Sequence, residues 1–201
     1  MNAMVTIRPA TSADAEVAAT VLAEAFRDDP AWSMSLPDPA TRPQRLEAYY
    51  RRQVRRHPER IDIAEDAGRV VGALIWAAPV SGSRAAAVQR TLRRGLRRIA
   101  SRLPGGQGIR HELAVAELKP TEPHWYLGDI GASPAARGKG VGSALLTHFV
   151  GRADASDTPL AALEATSQGS RRLYERFGFE AVGQVPTRPG EASTVMVRRP
   201  D

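Results

Sequence analysis

The chain has 201 residues, of which 42% are apolar and 25% charged, with a formal net charge of +6. It has no cysteine, which excludes disulfides, thiolate metal sites and an acyl-cysteine intermediate. The first eight residues hold no apolar signal core, and no run reaches the roughly 18 apolar residues that cross a bilayer. A cytoplasmic protein without a membrane partner is therefore expected.

A single domain over residues 1–201 is expected from the length. The positive charge rests on arginine, since Lys119 and Lys139 are the only lysines, and with abundant alanine this composition suits a GC-rich bacterial genome. The four histidines, His57, His111, His124 and His148, show no metal-ligand spacing, so no metal is expected.

In chain order, residues 4–9 read as a strand and 12–27 as a helix capped by Ser12, with Val17, Val21, Leu22 and Phe26 inward. A Pro- and Asp-rich turn at 28–40 leads to a helix over 41–57, carrying Leu46, Tyr49, Tyr50 and Val54. Residues 61–65 and 69–77 alternate as a hairpin across Asp66, Ala67 and Gly68. Helices over 84–102 and 109–118 follow, separated by Pro104, Gly105 and Gly106. Arg90, Arg94, Arg97 and Arg98 share one face of the first, but no base-stacking aromatics lie between 77 and 124, so a solvated face is expected and no nucleic-acid partner. Then come strand 125–132, helix 138–153, strand 160–166, helix 168–177 and strands near 179–186 and 193–199.

The most informative stretch joins the fourth strand to its helix. Gly138, Gly140 and Gly142 alternate there with Lys139 and Val141 behind Arg137. Glycines let backbone N–H groups approach a ligand, and the following helix adds the positive end of its dipole, which together favour a phosphate. The spacing does not fit a dinucleotide fingerprint, whose sixth position would be Ser143 or Leu145. It does not fit a P-loop either, because Ser133 stands five residues before Gly138. Arg-x-x-Gly-x-Gly does fit, filled by Arg137, Gly140 and Gly142.

This motif resembles the pyrophosphate-binding signature of the GCN5-related N-acetyltransferases. The likeness is strongest over 125–185, where Trp125, the Leu163-Glu164-Ala165-Thr166 strand and the Tyr174-Glu175-Arg176-Phe177-Gly178-Phe179 helix end look like the puromycin-type antibiotic acetyltransferases. Residues 1–124 resemble the family only loosely and would shape the acceptor pocket, with 125–185 as the acetyl-CoA-binding core.

The resemblance implies an α/β fold: a mixed, mostly antiparallel sheet of six to seven strands, helices on both faces, and a splay between the fourth and fifth strands. Acetyl-CoA would be the co-substrate. Its pantetheine arm would lie along Ile130, Gly131 and Ala132, small residues at 131 and 132 letting the thioester lie close. Arg137, Gly138, Lys139, Gly140, Val141, Gly142 and Ser143 would hold the pyrophosphate. Ser170 stands where many members carry an Asn that helps hold the arm. Tyr174 would protonate the departing sulfur, and Glu164, ahead of Asp129, would take the amine proton. Asp28 and Asp29 are candidates to attract a cationic amine. The implied activity is acetyl transfer to a primary amine of a small molecule in a ternary complex, by a monomer or homodimer. The alternatives are a protein or peptide N-acetyltransferase and a non-catalytic acetyl-CoA-binding module.

Overall fold

A computed structural model describes residues 5–79 and 106–200. Its strands are β1 (Thr6–Pro9), β2 (Ile61–Asp66), β3 (Arg69–Ala77), β4 (Trp125–Ala132), β5 (Ala161–Ala165), β6 (Glu180–Pro186) and β7 (Ala192–Arg198). Its helices are α1 (Ala15–Ala25), α2 (Pro30–Ser35), α3 (Arg42–Arg56), α4 (Gln107–Leu118), α5 (Val141–Asp154) and α6 (Gln168–Glu175). The class is mixed α/β, with antiparallel pairing of β1 with β2, β2 with β3, β5 with β7 and β6 with β7. The expected helix over 84–102, with its arginine face, lies outside the described residues.

The chain folds as two compact units, the first comprising residues 5–29, Asp38–Ala77 and Leu127–Arg152. Its strands run in the order β1-β2-β3-β4. The β2–β3 hairpin turns at Ala67 (φ 49°) and Gly68 (φ 73°), both in the left-handed region that a tight two-residue turn requires.

Helices cover both faces of this unit, and alternation along the strands sorts the side chains between them. On one face a Cβ at Gly131 would stand 2.7 Å from Ala25 Cβ, so β4 and α1 approach too closely for any side chain there. Tyr50 of α3, fully buried, lies on that face with Phe26, their ring centroids 6.0 Å apart. On the other face a Cβ at Gly72 would stand 2.6 Å from Val141 Cγ1 of α5. Beneath α5, buried Asp62 receives a two-pronged pair from Arg152, at 2.6 and 3.0 Å. The Arg152 guanidinium also lies 4.4 Å from the centroid of the Trp76 ring.

Helix α1 begins later than the sequence suggested, behind a short 3₁₀ turn at Ser12–Asp14. That turn is capped by Thr11 rather than Ser12, and Asp14 is the residue before α1: the Asp14 carboxylate accepts from Thr11 N at 2.7 Å and from Thr11 Oγ1 at 2.9 Å. Arg8 clamps that carboxylate and Glu65 together, at 2.7 Å each. Val17, expected inward, is 42% exposed, because the buried stripe of α1 runs through Ala15, Ala18, Ala19, Val21, Leu22 and Ala23.

The second unit comprises Pro30–Pro37, the described part of residues 78–126, and the described chain from Ala153 onward. Its strands run β5-β7-β6. The expected turn at 28–40 contains the one-and-a-half-turn helix α2, for which Pro30 supplies the first residue with its φ already helical. Helix α4 packs Val115 and Leu118 against Val185 and Val195, and a Cβ at Gly183 would stand 2.8 Å from Leu118. The opposite face carries Arg198, which pairs with Asp154 and donates to Phe177 O at 3.0 Å. Trp125 opens β4 in this unit, its N–H on Leu160 O at 2.8 Å and its indole on Ser156 Oγ at 2.9 Å.

Candidate active site

The glycine loop lies in the first unit, between β4 and α5. Gly138 and Gly140 have φ of 77° and 81°, which end any helix there and explain why α5 starts at Val141 rather than at 138. A Cβ at either position would meet nothing within 4 Å, so these glycines answer to the backbone path and not to crowding. The first intrahelical bond runs from Ala144 N to Gly140 O at 2.9 Å. The N–H groups of Val141, Gly142 and Ser143 precede it, at the end of the helix where such donors have no intrahelical acceptor. Arg137 and Lys139 are exposed on the same loop. The arrangement is an open, cationic cradle at a helix N-terminus, which suits a phosphate.

Upstream, Ile130 and Ala132 are half-buried and Gly131 is buried. The side of Gly131 that a side chain would occupy is filled by Ala25 and Leu22 of α1. Its smallness is therefore a packing requirement of α1. Asp129 accepts a hydrogen bond from Tyr50 Oη at 3.3 Å. Burial, followed by the negative charge of Asp129, pushes the Tyr50 phenol well above its ordinary pKa, and Asp29 adds to the effect. Asp28 is exposed.

The second unit holds Glu164, Ser170 and Tyr174. Ser167 caps α6 by accepting from Ser170 N at 3.1 Å, while Ser170 Oγ takes the Ser167 N–H at 3.2 Å and donates to Ser167 O at 2.9 Å. The Ser170 hydroxyl is thereby engaged in the helix cap. Tyr174 is buried, its ring 6.2 Å from that of Phe179, and its carbonyl accepts from Phe179 N at 3.2 Å. The Tyr-x-x-x-Gly-Phe signature is a helix end: Gly178 takes φ 79° and reverses the chain into β6.

Glu164 has a partner that sequence reading did not assign. Its Oε1 lies 2.6 Å from His111 Nε2 of α4, with the two side chains 12% and 3% exposed. A carboxylate only accepts, so Nε2 carries the hydrogen of this contact. Nδ1 is buried and without a hydrogen-bond partner among the described residues. Burial pulls the His111 pKa down, but the Glu164 hydrogen bond and charge overcome it, aided by the Pro186 carbonyl and Glu112, and the net shift is upward. The signal for His111 was helical phase, since 111, 115 and 118 share the face of α4 that packs inward.

His111 also lines an open cavity of about 370 Å³ within the second unit. Met34, Ala114, Val185 and Pro189 form much of the apolar wall; Gln107, Arg110 and Thr187 contribute polar groups. Among the described residues no group of three or more His, Cys, Asp or Glu is placed to hold a metal, and no helix is long and apolar enough to cross a membrane.

A strand, a glycine loop with two left-handed residues and a helix N-terminus, within a mixed α/β fold, form a loop of the kind that suits a phosphate. The model of the acetyltransferase (GNAT) family matches residues 22–179. A solved Corynebacterium glutamicum structure, named as histone acetyltransferase HPA2 and related acetyltransferase, is 33% identical over 98% of this chain and 97% of that one, with a TM-score of 0.72. A mosquito arylalkylamine N-acetyltransferase like 5b shares the fold at 15% identity, covering 97% and 99% of the two chains, with a TM-score of 0.68. A Drosophila melanogaster polyamine N-acetyltransferase does so at 17% identity, covering 96% and 99%, with a TM-score of 0.66. The chain belongs to the acetyltransferase (GNAT) family and is an acetyl-CoA-dependent N-acetyltransferase.

Proposed function

We propose that the protein transfers the acetyl group of acetyl-CoA to a primary amine of a small molecule, by direct attack within a ternary complex. The observation that carries this reading is the loop geometry, with Gly138 and Gly140 in left-handed conformations beside Arg137, Lys139 and the first-turn amides of α5. Val141, Gly142 and Ser143 would donate those amides to the pyrophosphate, and Ile130, Gly131 and Ala132 would offer main-chain groups to the pantetheine arm. A free main-chain N–H beside the acetyl carbonyl would polarise it as in an oxyanion hole. The amine nitrogen bonds to the carbonyl carbon and gives up a proton, for which Glu164 is the candidate base; the carbon–sulfur bond breaks, and Tyr174 supplies the proton that the thiolate takes up and regains one from solvent. Ser170, committed to its helix cap, would meet the arm only in part.

The small-amine acceptor finds support in the neighbours named for arylalkylamine and polyamine substrates, and the puromycin-type likeness of residues 125–185 points the same way. A peptide acceptor is the second reading, favoured by the histone acetyltransferase name of the 33% identical relative. One domain, a cytoplasmic bacterial setting and a monomer or homodimer complete the proposal.

The test is release of free CoA thiol from acetyl-CoA across a panel of 2-phenylethylamine, agmatine, spermidine, puromycin, free amino acids and a lysine-containing peptide. Turnover with a small amine at kcat/KM above that for the peptide is expected. Peptide-only turnover would establish the second reading. Acetyl-CoA binding without turnover of any amine would make the protein a binding module.

A further inference from the structure

We propose that His111 is held as an imidazolium whose two N–H groups tie α4 to Glu164 of β5 and to the Pro186 carbonyl at the end of β6. This bridge is a pH-sensitive lock between two walls of the cavity: losing the Nδ1 proton as pH rises frees the start of α4 from the β6–β7 turn.

The first support is the chemistry of the two partners. Glu164 Oε1 lies 2.6 Å from Nε2, and the Pro186 carbonyl faces the other nitrogen. A carboxylate and a carbonyl both only accept hydrogen bonds. A neutral imidazole has one N–H, so with Nε2 donating to Glu164 it turns the Nδ1 lone pair toward a carbonyl lone pair. The imidazolium donates from both nitrogens and removes that conflict. Nδ1 is sealed from solvent, so no water stands between.

The second support is the counter-charge. The His111 and Glu164 side chains are 3% and 12% exposed, and a cation so deeply placed persists only beside an anion. Burial opposes the charge on the ring, but the Glu164 hydrogen bond and charge outweigh it. The Pro186 carbonyl and Glu112 of α4 add to them, and the net shift of the His111 pKa is upward. Arg110, also on α4, is exposed at the cavity. Helix α2 carries no titratable side chain, β7 sets Val195 opposite Glu164, and Arg188 of the turn bonds to Ser33 of α2.

The third support is what the bridge joins. Gln107, Arg110 and Ala114 of α4 form one wall of the cavity, and Val185, Thr187 and Pro189 form the other. His111 and Pro186 line the same cavity and connect the two walls. Farther along α4, Val115 and Leu118 pack on Val185 and Val195, contacts that carry no charge and do not respond to pH. The lock therefore governs the first turns of α4 and leaves its end anchored. The charge change at His111 biases the equilibrium of this one segment.

The upward shift fixes the sign of the pH dependence. Stabilisation by the bridge is fully present below the ordinary imidazole pKa of about 6.5 and is lost as pH rises through the higher folded value.

The experiment follows the ¹⁵N and ¹H resonances of the His111 ring against pH in the full chain, for the wild type and Glu164→Gln. The resonances are assigned by their absence from His111→Gln. Chemical-denaturation midpoints of the three proteins and amide exchange of α4, corrected for its intrinsic pH dependence, are measured alongside. Near pH 6, about half a unit below the ordinary imidazole pKa, both ring nitrogens of the wild type should carry a proton, and the ring should titrate with a midpoint above about 6.5. Glu164→Gln should lower that midpoint, because burial then acts on the ring without its counter-charge. The stability gap between wild type and His111→Gln should be widest below about pH 6.5 and shrink at higher pH. In the wild type the opening of amides 110–113 should increase by up to about tenfold per pH unit between about 6.5 and the folded midpoint, the limit for one proton, and then level off. Amides 116–118 should respond less.

A folded wild type whose Nδ1 keeps its lone pair near pH 6 would overturn the imidazolium, about half a unit below the ordinary value being where the bridge is at full strength. So would a titration midpoint that Glu164→Gln leaves unchanged. Exchange at 110–113 that ignores pH, or that changes no more than exchange at 116–118, would overturn the lock. If His111→Gln fails to fold, the resonances are assigned by elimination from His57→Gln, His124→Gln and His148→Gln, and the wild-type titration and exchange decide.

Discussion

Asp62 and Arg152 form a two-pronged ion pair, at 2.6 and 3.0 Å, although 90 residues separate them in sequence. Asp62 is 1% exposed, and the pair joins β2 to the helix that follows the glycine loop. Removing Arg152 leaves the buried Asp62 carboxylate with only His148 Nε2 beside it, 3.7 Å away. Arg152→Ala should therefore cost about 3–5 kcal/mol, read as a lower midpoint in urea unfolding. The double variant Asp62→Leu, Arg152→Leu should recover much of that loss. A single variant within about 1 kcal/mol of wild type would contradict the assigned pairing.

The loop makes a sharper prediction about binding. Gly140→Asp introduces a Cβ at φ 81° and a negative charge where the pyrophosphate would lie. The strain should cost about 1–2 kcal/mol, while acetyl-CoA affinity should fall far more than that strain explains. Gly68→Asp is the control, because Gly68 has φ 73° with nothing within 4 Å of a Cβ and lies in the β2–β3 turn. It should show similar strain and unchanged affinity by calorimetry. Equal affinities in the two variants would remove the loop from the site.

Tyr174→Phe tests the acid assigned to the departing sulfur. A positioned general acid contributes about 10²–10⁴-fold, so kcat should fall by that factor with acetyl-CoA affinity little changed. Tyr174→Ala should in addition destabilise the fold, since the ring is buried beside Phe179 and its loss opens a cavity. A thioester with a more acidic thiol should partly rescue Tyr174→Phe. Full turnover of that variant, under conditions where chemistry limits the rate, would show that the ring only fills the core.

Acid sensitivity should appear at Asp14. The Arg8 hydrogen bond holds this carboxyl well below the usual range, in spite of partial burial, and Thr11 adds two more bonds. A depressed pKa means that the stabilisation is fully present above the ordinary carboxylate value of about 4 and is lost as pH falls below it. Asp14→Ala should cost about 1 kcal/mol at pH 7, the usual worth of a helix cap. Chemical-denaturation midpoints of wild type and variant should converge between about pH 4 and 2. A constant gap across that range would mean that charge plays no part in the cap.

The glycine loop was legible because its chemistry is local. Positive φ at Gly138 and Gly140 is a property of single residues, and the helix N-terminus follows directly from the turn. The hairpin at Ala67 and Gly68 and the helix end at Gly178 were readable for the same reason. Val141, Leu145, Leu146 and Phe149 recur at helical spacing along α5, and all four are buried. What the linear chain could not settle was which of several adequate local choices tertiary packing would adopt. Ser12 and Thr11 are both good caps, and Arg8, arriving from β1 to hold Asp14, decided for Thr11. Val17 sits at a reasonable helical phase, but the tight approach of α1 to Gly131 selected the small residues of the neighbouring stripe.

The contact between Glu164 and His111 shows the same division. Sequence alone determined that Glu164 stands on a strand before the Ser167 cap and that His111 lies on a helix. Their 2.6 Å contact joins residues 53 positions apart and exists only once α4 packs on β5 and β6. Local propensity acts over a few residues, whereas a hydrogen bond between distant elements depends on how their faces pack. The glycine loop's backbone was therefore readable from the chain, and the Glu164–His111 contact was decided by the fold.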